Sequence, residues 1–516
     1  MGIRTRSEHI MSGVQQSQKM GKIGAKVGRE KPDLATATLR GTLWVYASNY
    51  SGKILVFLST VVLARVLMKE EFGLAGYALL IIGLLDVFSD LGIGSALIYH
   101  RDDPDAADTA FWLGIGIGCG LFAVSWAVAP FAATFFHEER LVAITRVLAL
   151  TFPLTALRNV QETLLEKRLA FSRKFIPDLS NSLGKGVVSI ALAFLGFGVW
   201  SLIVGQLAGT ALSVVVYWGA SEWRPSLNFA RRYVRILLSY GTSMVGSDAL
   251  AIMLLNVDYL FIGRFLGPVA LGVYMLAFRI PELLIKQSCG VLGSVLFPVY
   301  ATMRDDPKAL SRGVLVTMRY VSTVTVPMAL GLALVSKPLV LALFGAKWSD
   351  AIPVLRAISL YTLFISISFN IGSVYKAQGR PSILMKLSFL RLAILVPAMW
   401  WAAARLGSIN AVAWSQAVVA FIGMAINLAV ATRTLNLTAN ALLRELRPVA
   451  IGGSLMTLAV LAAMPLATRT APSLQVAILT IVGAAVYLAT MWWVQRAEMI
   501  SAYRYVHAVV SRSKAA

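Results

Sequence analysis

Cysteine and histidine are scarce, with two cysteines and four histidines in 516 residues. Cys119 and Cys289 both lie inside apolar runs, which excludes a disulfide framework and the paired spacing of a zinc site. His9, His100 and His507 fall in tails or turns, so a metal centre has nothing to be built from, and no cofactor is expected. Charge is sparse too, at 14% of residues, and carboxylates are the scarcer sign: 25 Asp and Glu against 47 Lys and Arg, a net charge of +22. The basic residues sit mostly in short turns between apolar runs, where they need no nucleic acid to explain them. Long polar loops are missing, which leaves no room for a separate catalytic domain. Phosphate loops are missing as well. GIGIGCG (Gly114–Gly120) has no preceding strand and no following Gly-Lys-Ser/Thr, and it reads as a close-packing helix face.

What the chain has is apolar sequence, 58% hydrophobic with a mean hydropathy of +0.72. A soluble fold cannot hide that much apolar surface, so the chain reads as an all-α polytopic membrane protein. About fourteen runs reach the roughly 20 residues that a bilayer-crossing helix requires. They fall near 41–64, 72–99, 110–135, 142–165, 178–196, 199–219, 235–260, 268–300, 314–336, 351–377, 382–404, 407–431, 448–467 and 474–495. Residues 1–38 are polar and basic without an apolar centre, and are expected to form a disordered cytoplasmic tail and no signal peptide.

Lys and Arg set the orientation. The even-numbered turns, near 167–174, 222–235, 376–386 and 433–447, and the 496–516 tail are basic. The odd-numbered turns are poor in Lys and Arg, such as His137–Leu141 (HEERL) and Gly196–Gly198 (GFG). Both termini are therefore expected on the cytoplasmic side.

Two stretches repeat each other, Leu63–Asp105 and Phe261–Lys308. Arg65 answers Arg264, Phe72-Gly73 answers Leu271-Gly272, and the RDDP of Arg101–Pro104 returns at Arg304–Pro307. A repeat near half the chain length predicts two homologous halves. Six spans separate the copies, so the halves run in the same direction about an axis along the membrane normal, as in many transporters. The expected organisation is an N-terminal six-helix lobe (39–220), a C-terminal six-helix lobe (221–435) and two additional helices (436–495). The two additional helices carry no repeat signal and read as peripheral.

A charge at the centre of a span costs about 2.5–3.5 kcal/mol, so the intramembrane charges call for a reason. Span 1 carries Tyr46, Asn49, Tyr50 and Lys53 on one face. Span 2 carries Asp86 and Asp90, and span 4 carries Arg158, Glu162 and Glu166, each one turn apart. Span 5 has Lys185, and span 7 has Asp248 and Asp258. Span 8 carries Arg279, Glu282 and Lys286 on one face, with a kink expected at Pro281. Some of these pair internally or reach the interface from helix ends. Lys53, Arg158, Glu162, Arg279 and Lys286 point instead to a water-filled central cavity, and its Lys and Arg suit an anionic ligand. Asp86, Asp90, Glu162, Glu282 and Asp248 are candidate ion-coupling groups or counter-charges.

LARVLMKEEFGLAGYALLIIGLLDVFSDLGIGSALIYHRD, VDYLFIGRFLGPVALGVYMLAFRIPELL, VLFPVYATMRDDP and GSVYKAQGRPSILMKLSFLRL resemble the bacterial polysaccharide exporters. The resemblance is to the lipid-linked oligosaccharide flippases of the colanic-acid and succinoglycan branch, within the multidrug/oligosaccharidyl-lipid/polysaccharide exporter superfamily. It covers about 40–435. It implies a bacterial inner-membrane flippase for polyprenyl-diphosphate-linked oligosaccharide, working by alternating access in exopolysaccharide or lipopolysaccharide synthesis. The polymerase and export machinery of that pathway would be its partners. Of the family's cavity-lining cations, Lys53, Arg279 and Lys286 match here, while span 7 offers Asp248 and Asp258 instead. Arg158 and Tyr50 join the substrate-binding set from the residue reading, and Tyr46, Tyr50, Tyr274 and Tyr361 are candidates to stack on sugar rings. A multidrug or organic-cation exporter of the same superfamily and a membrane polysaccharide polymerase or glycosyltransferase are the competing functions.

Overall fold

A computed structural model describes residues 50–90, 93–94, 97, 104–168 and 170–496, all helical or in short connections, without strands. The basic segment 1–38, Tyr46 and Asn49 lie outside the described residues. The helices are α1 (50–66), α2 (Lys69–Asp90), α3 (Pro104–Phe136), α4 (Arg140–Leu148), α5 (Thr151–Lys167), α6 (Phe171–Phe194) and α7 (Val199–Ala220). The stretch Arg231–Pro281 is broken at Gly267, whose φ of 83° and ψ of −179° suit only a residue without a Cβ. Pro268 then opens the next helix at the position where a missing N–H costs nothing. These two are α8 (231–266) and α9 (268–302). Then come α10 (Pro307–Leu343), α11 (Ala351–Ala377), α12 (Pro381–Trp400), α13 (Ile409–Thr434), α14 (Ala439–Ala467) and α15 (Pro472–Val494).

Eleven stretches among the described residues are long and apolar enough to cross a membrane. One of them, Leu250–Gly290, runs through the Gly267 break, and another, Arg140–Lys167, takes in both α4 and α5. The helix α6 is not among the eleven, because Arg173, Lys174, Asp178 and Lys185 interrupt its apolar sequence. The RDDP motif proves to be a helix start. Asp306 accepts hydrogen bonds from the N–H groups of Lys308 and Ala309, and Pro307 takes the first helical position. In the other copy α3 likewise begins at its proline, Pro104.

The odd-numbered turns gather at one end of the molecule, called here the sealed end. There Arg140 pairs with Glu70 and Glu138, and Lys69 with Asp350. The two copies of the repeat meet at this end and contact each other reciprocally. A Cβ on Gly73 would lie 1.8 Å from the Pro268 carbonyl oxygen, and one on Gly272 would lie 2.2 Å from that of Lys69. The equivalent arginines also cross reciprocally between lobes. Arg65 donates to the carbonyls of Ala342 and Leu343, and Arg264 meets the ring nitrogens of His137. Trp348, fully buried, donates to the Ala64 carbonyl at 2.7 Å, and Lys347 reaches the carbonyls of Arg65 and Leu67. One contiguous apolar core therefore runs through both lobes. The interlobe linker is strapped to the start of α3, where Asp108 accepts from Ser226 and Asp105 from Asn228.

The helices α14 and α15 pack on each other and on α10 through Val335, Met456, Val460, Leu479 and Tyr487.

Candidate functional site

Away from the sealed end the lobes part around a cavity of about 420 Å³. Lys53 on α1, Arg158 and Glu162 on α5, and Arg279 and Glu282 on α9 line it, so residues from three helices far apart in the sequence converge. Small residues set this geometry. A Cβ on Gly52 would fall 2.7 Å from the Ser182 hydroxyl, and one on Gly186 would fall 2.3 Å from that of Ser59. The helix α1 thus lies directly on α6 and holds Lys53 at the cavity edge.

The charges are organised by lobe. In the N-terminal lobe Lys174 bonds Glu162 at 2.7 Å and also Glu166, while Arg158 stands 3.9 Å from Glu162 and donates to Ser213. Tyr217 donates to Asp178 at 2.7 Å. In the C-terminal lobe Glu282 lies between Arg279 at 3.5 Å and Lys286 at 3.9 Å. Lys53 joins the lobes through the neutral side-chain oxygen of Gln287. The lining carries Lys53, Arg158, Lys174 and Arg279 against Glu162, Asp178 and Glu282, so cations are in excess. Low local dielectric makes such an excess more potent than at a protein surface.

Five of the expected residues meet in this cavity. Lys286 is off the lining and lies over the Phe278 ring. The reason is a π-helical turn, Glu282–Lys286, directly after Pro281. Its hydrogen bond runs from Gln287 N–H to the Glu282 carbonyl, five residues back, so Gln287 takes the place beneath Glu282 that an α-helix gives to Lys286. Tyr50 is half-buried at the first described turn of α1 and outside the lining, and Asp86 is exposed on α2. The side chains of Asp90 and Asp248 lie outside the described residues. Tyr274 is fully buried and spends its hydroxyl on Asp258, and Tyr361 is buried against Arg391, so neither offers a face to a sugar ring in the cavity. Lys174, Asp178 and Gln287 were not expected here. The first two open α6, where a basic turn and a helix start look alike in sequence.

Beside the charged cavity runs an apolar groove of about 660 Å³. It lies between α9, α10, α14 and α15, with Leu284, Pro327, Val460, Ala484 and Leu488 among its walls. Phe57 and Leu283 belong to both spaces, so the groove and the charged cavity adjoin. The helices α14 and α15 are thus walls of a groove, although their sequence reads as peripheral.

Among solved structures, the fold is similar to a lipid II flippase MurJ in its inward closed conformation, with a TM-score of 0.72 at 16% identity over 89% of this chain and all of that one. It is also similar to an inward-facing multidrug-resistance MATE transporter, with a TM-score of 0.64 at 16% identity over 74% of this chain and 94% of that one. In sequence the chain is 26% identical to the teichuronic acid biosynthesis protein TuaB of Bacillus subtilis, over 77% of this chain and 82% of the relative. It is 26% identical to the lipopolysaccharide biosynthesis protein WzxC of Escherichia coli, over 71% and 75% of the two chains. It is 25% identical to the succinoglycan biosynthesis transport protein ExoT of Rhizobium meliloti, over 74% and 77%. The family model described as polysaccharide biosynthesis protein matches residues 62–353, more than half of the chain. With its apolar helices and two-lobed transporter fold, the chain is a multi-pass membrane protein that belongs to this polysaccharide biosynthesis family.

Proposed function

We propose that the protein is a flippase that carries polyprenyl-diphosphate-linked oligosaccharide across the bacterial inner membrane, and that it is a transporter and no enzyme. The observation that carries this reading is the junction of a cation-rich cavity with an apolar groove through Phe57 and Leu283. A lipid-linked sugar has both chemistries in one molecule. Its diphosphate matches Lys53, Arg158, Lys174 and Arg279, since ammonium and guanidinium groups pair with phosphate oxygens. Its polyprenyl chain matches the groove, and the glycan occupies the remaining wet volume.

The positive-inside rule puts the sealed end outward and both termini in the cytoplasm. Fourteen spans then arise from α1 to α15 with α4 and α5 counted as one. In this orientation the described state faces the cytoplasm, where the substrate is made. Translocation is the rocking of one lobe against the other, which opens the sealed end and closes the cavity. Glu162 and Glu282 serve as counter-charges that keep the cations from repelling one another when the site is empty. The polymerase and export machinery of the same pathway act on the product.

Replacing Lys53 or Arg279 by Ala is the test. Loss of surface polymer with normal accumulation of the variant in the membrane is expected. Full export by both variants refutes the assignment of these residues.

A further inference from the structure

Deeper than the main cavity, toward the sealed end, lies a second and smaller space of about 70 Å³. Val56, Thr60 and Arg279 belong to both, so the two spaces are continuous at Arg279. Its far wall carries Lys185 of α6 and Gln206 of α7. Here the pairing that governs the main cavity stops. Among the described residues Lys185 has neither an ion pair nor a hydrogen bond, and the other charged side chain on the lining of the space is Arg279. The side-chain oxygen of Gln206 is buried with no hydrogen-bond partner. Lys185 belongs to one lobe and Arg279 to the other. Two cations from opposite lobes, on a small space whose lining holds no carboxylate, are an arrangement that an anion completes.

Resting on the flippase reading, we propose that this space is an inner oxyanion subsite, in which one phosphoryl group of the substrate bridges Lys185 and Arg279. Size supports a phosphoryl group and excludes a sugar. One water requires about 10–15 Å³ on this scale, so the space admits a group of about five non-hydrogen atoms. Arg279 stands at the threshold and serves both spaces, which gives the diphosphate a path from the main cavity inward. The bridge also couples binding to lobe movement. When the site is empty, like charges on opposite lobes repel. When it is filled, the same charges draw the lobes together around the anion.

The test uses the full-length protein in nanodiscs, titrated calorimetrically with inorganic pyrophosphate and separately with farnesyl diphosphate. Lys185→Gln is expected to weaken both ligands about 10- to 100-fold, the loss of a charge-assisted contact. Lys185→Arg is expected to restore binding, and the empty Lys185→Gln protein is expected to melt no lower than the parent, because it has lost a repulsion. Weakening by Lys53→Gln with unchanged binding by Lys185→Gln overturns the inner subsite and leaves the flippase reading standing. Failure of the parent to bind either diphosphate overturns both. A lowered melting temperature of empty Lys185→Gln, without rescue by Lys185→Arg, assigns Lys185 a packing role and overturns the proposal.

Discussion

Gly73→Ala is a single-methyl change aimed at the seal between the lobes. The added Cβ would lie 1.8 Å from the Pro268 carbonyl oxygen, 2.4 Å from its carbon and 2.8 Å from its Cα. All three are backbone atoms of the opposite lobe, so no rotamer change relieves the clash and the lobes must separate. Overpacking of this kind costs about 1–3 kcal/mol. That cost falls only on the state in which the repeat copies touch, so it shifts the equilibrium toward opening of the sealed end by about 5- to 150-fold. The assay is maleimide labelling of Leu67→Cys, a position 3% exposed in the sealed state, in a protein with Cys119 and Cys289 replaced by Ser. The labelling rate should rise by that factor while the protein stays monodisperse. Gly272→Ala should act alike, and the double variant should show less than the summed effect, because both changes press on one interface. An unchanged labelling rate in well-folded Gly73→Ala would refute the seal.

Glu162→Gln removes the carboxylate that holds both Arg158 and Lys174 and should tighten pyrophosphate binding about 2- to 5-fold, measured by calorimetry. It should slow export, since the product leaves a more positive site. Ala484→Trp fills the apolar groove and should lower export while leaving inorganic pyrophosphate affinity unchanged, because pyrophosphate has no lipid chain. For pH, Glu138 in the turn after α3 is held below the usual glutamate range by its hydrogen bond to Arg140, against the opposing effect of burial. A depressed folded-state value means that the stabilisation is present above 4.5, the ordinary value, and is lost as pH falls through the lower folded value. The melting deficit of Glu138→Gln should therefore be full at neutral pH and shrink progressively as pH falls below 4.5.

The architecture was legible because its cues are local or repeated. Apolar length marks the spans, and the recurrence of Phe72-Gly73 as Leu271-Gly272 marks the two lobes. Why both copies keep glycine became clear only in space, where each faces a backbone carbonyl of the other lobe. The charged cavity was half legible. Lys53, Arg158 and Arg279 stand out as cations in apolar sequence, but Lys174 and Asp178 sit where a span and a polar turn merge. Lys286 stands off the lining for a definite reason, since helical spacing fails across a π-helical turn and Gln287 takes the position. The groove was not legible at all. Its walls are ordinary apolar residues such as Val460 and Leu488, which look the same whether they face lipid, a neighbouring helix or a groove.

The most direct test of the central claim is the leaflet distribution of the lipid-linked oligosaccharide that accumulates when the gene is deleted. A flippase predicts accumulation on the cytoplasmic face with loss of surface polymer. Accumulation on the periplasmic face would place the missing step after translocation and contradict the account.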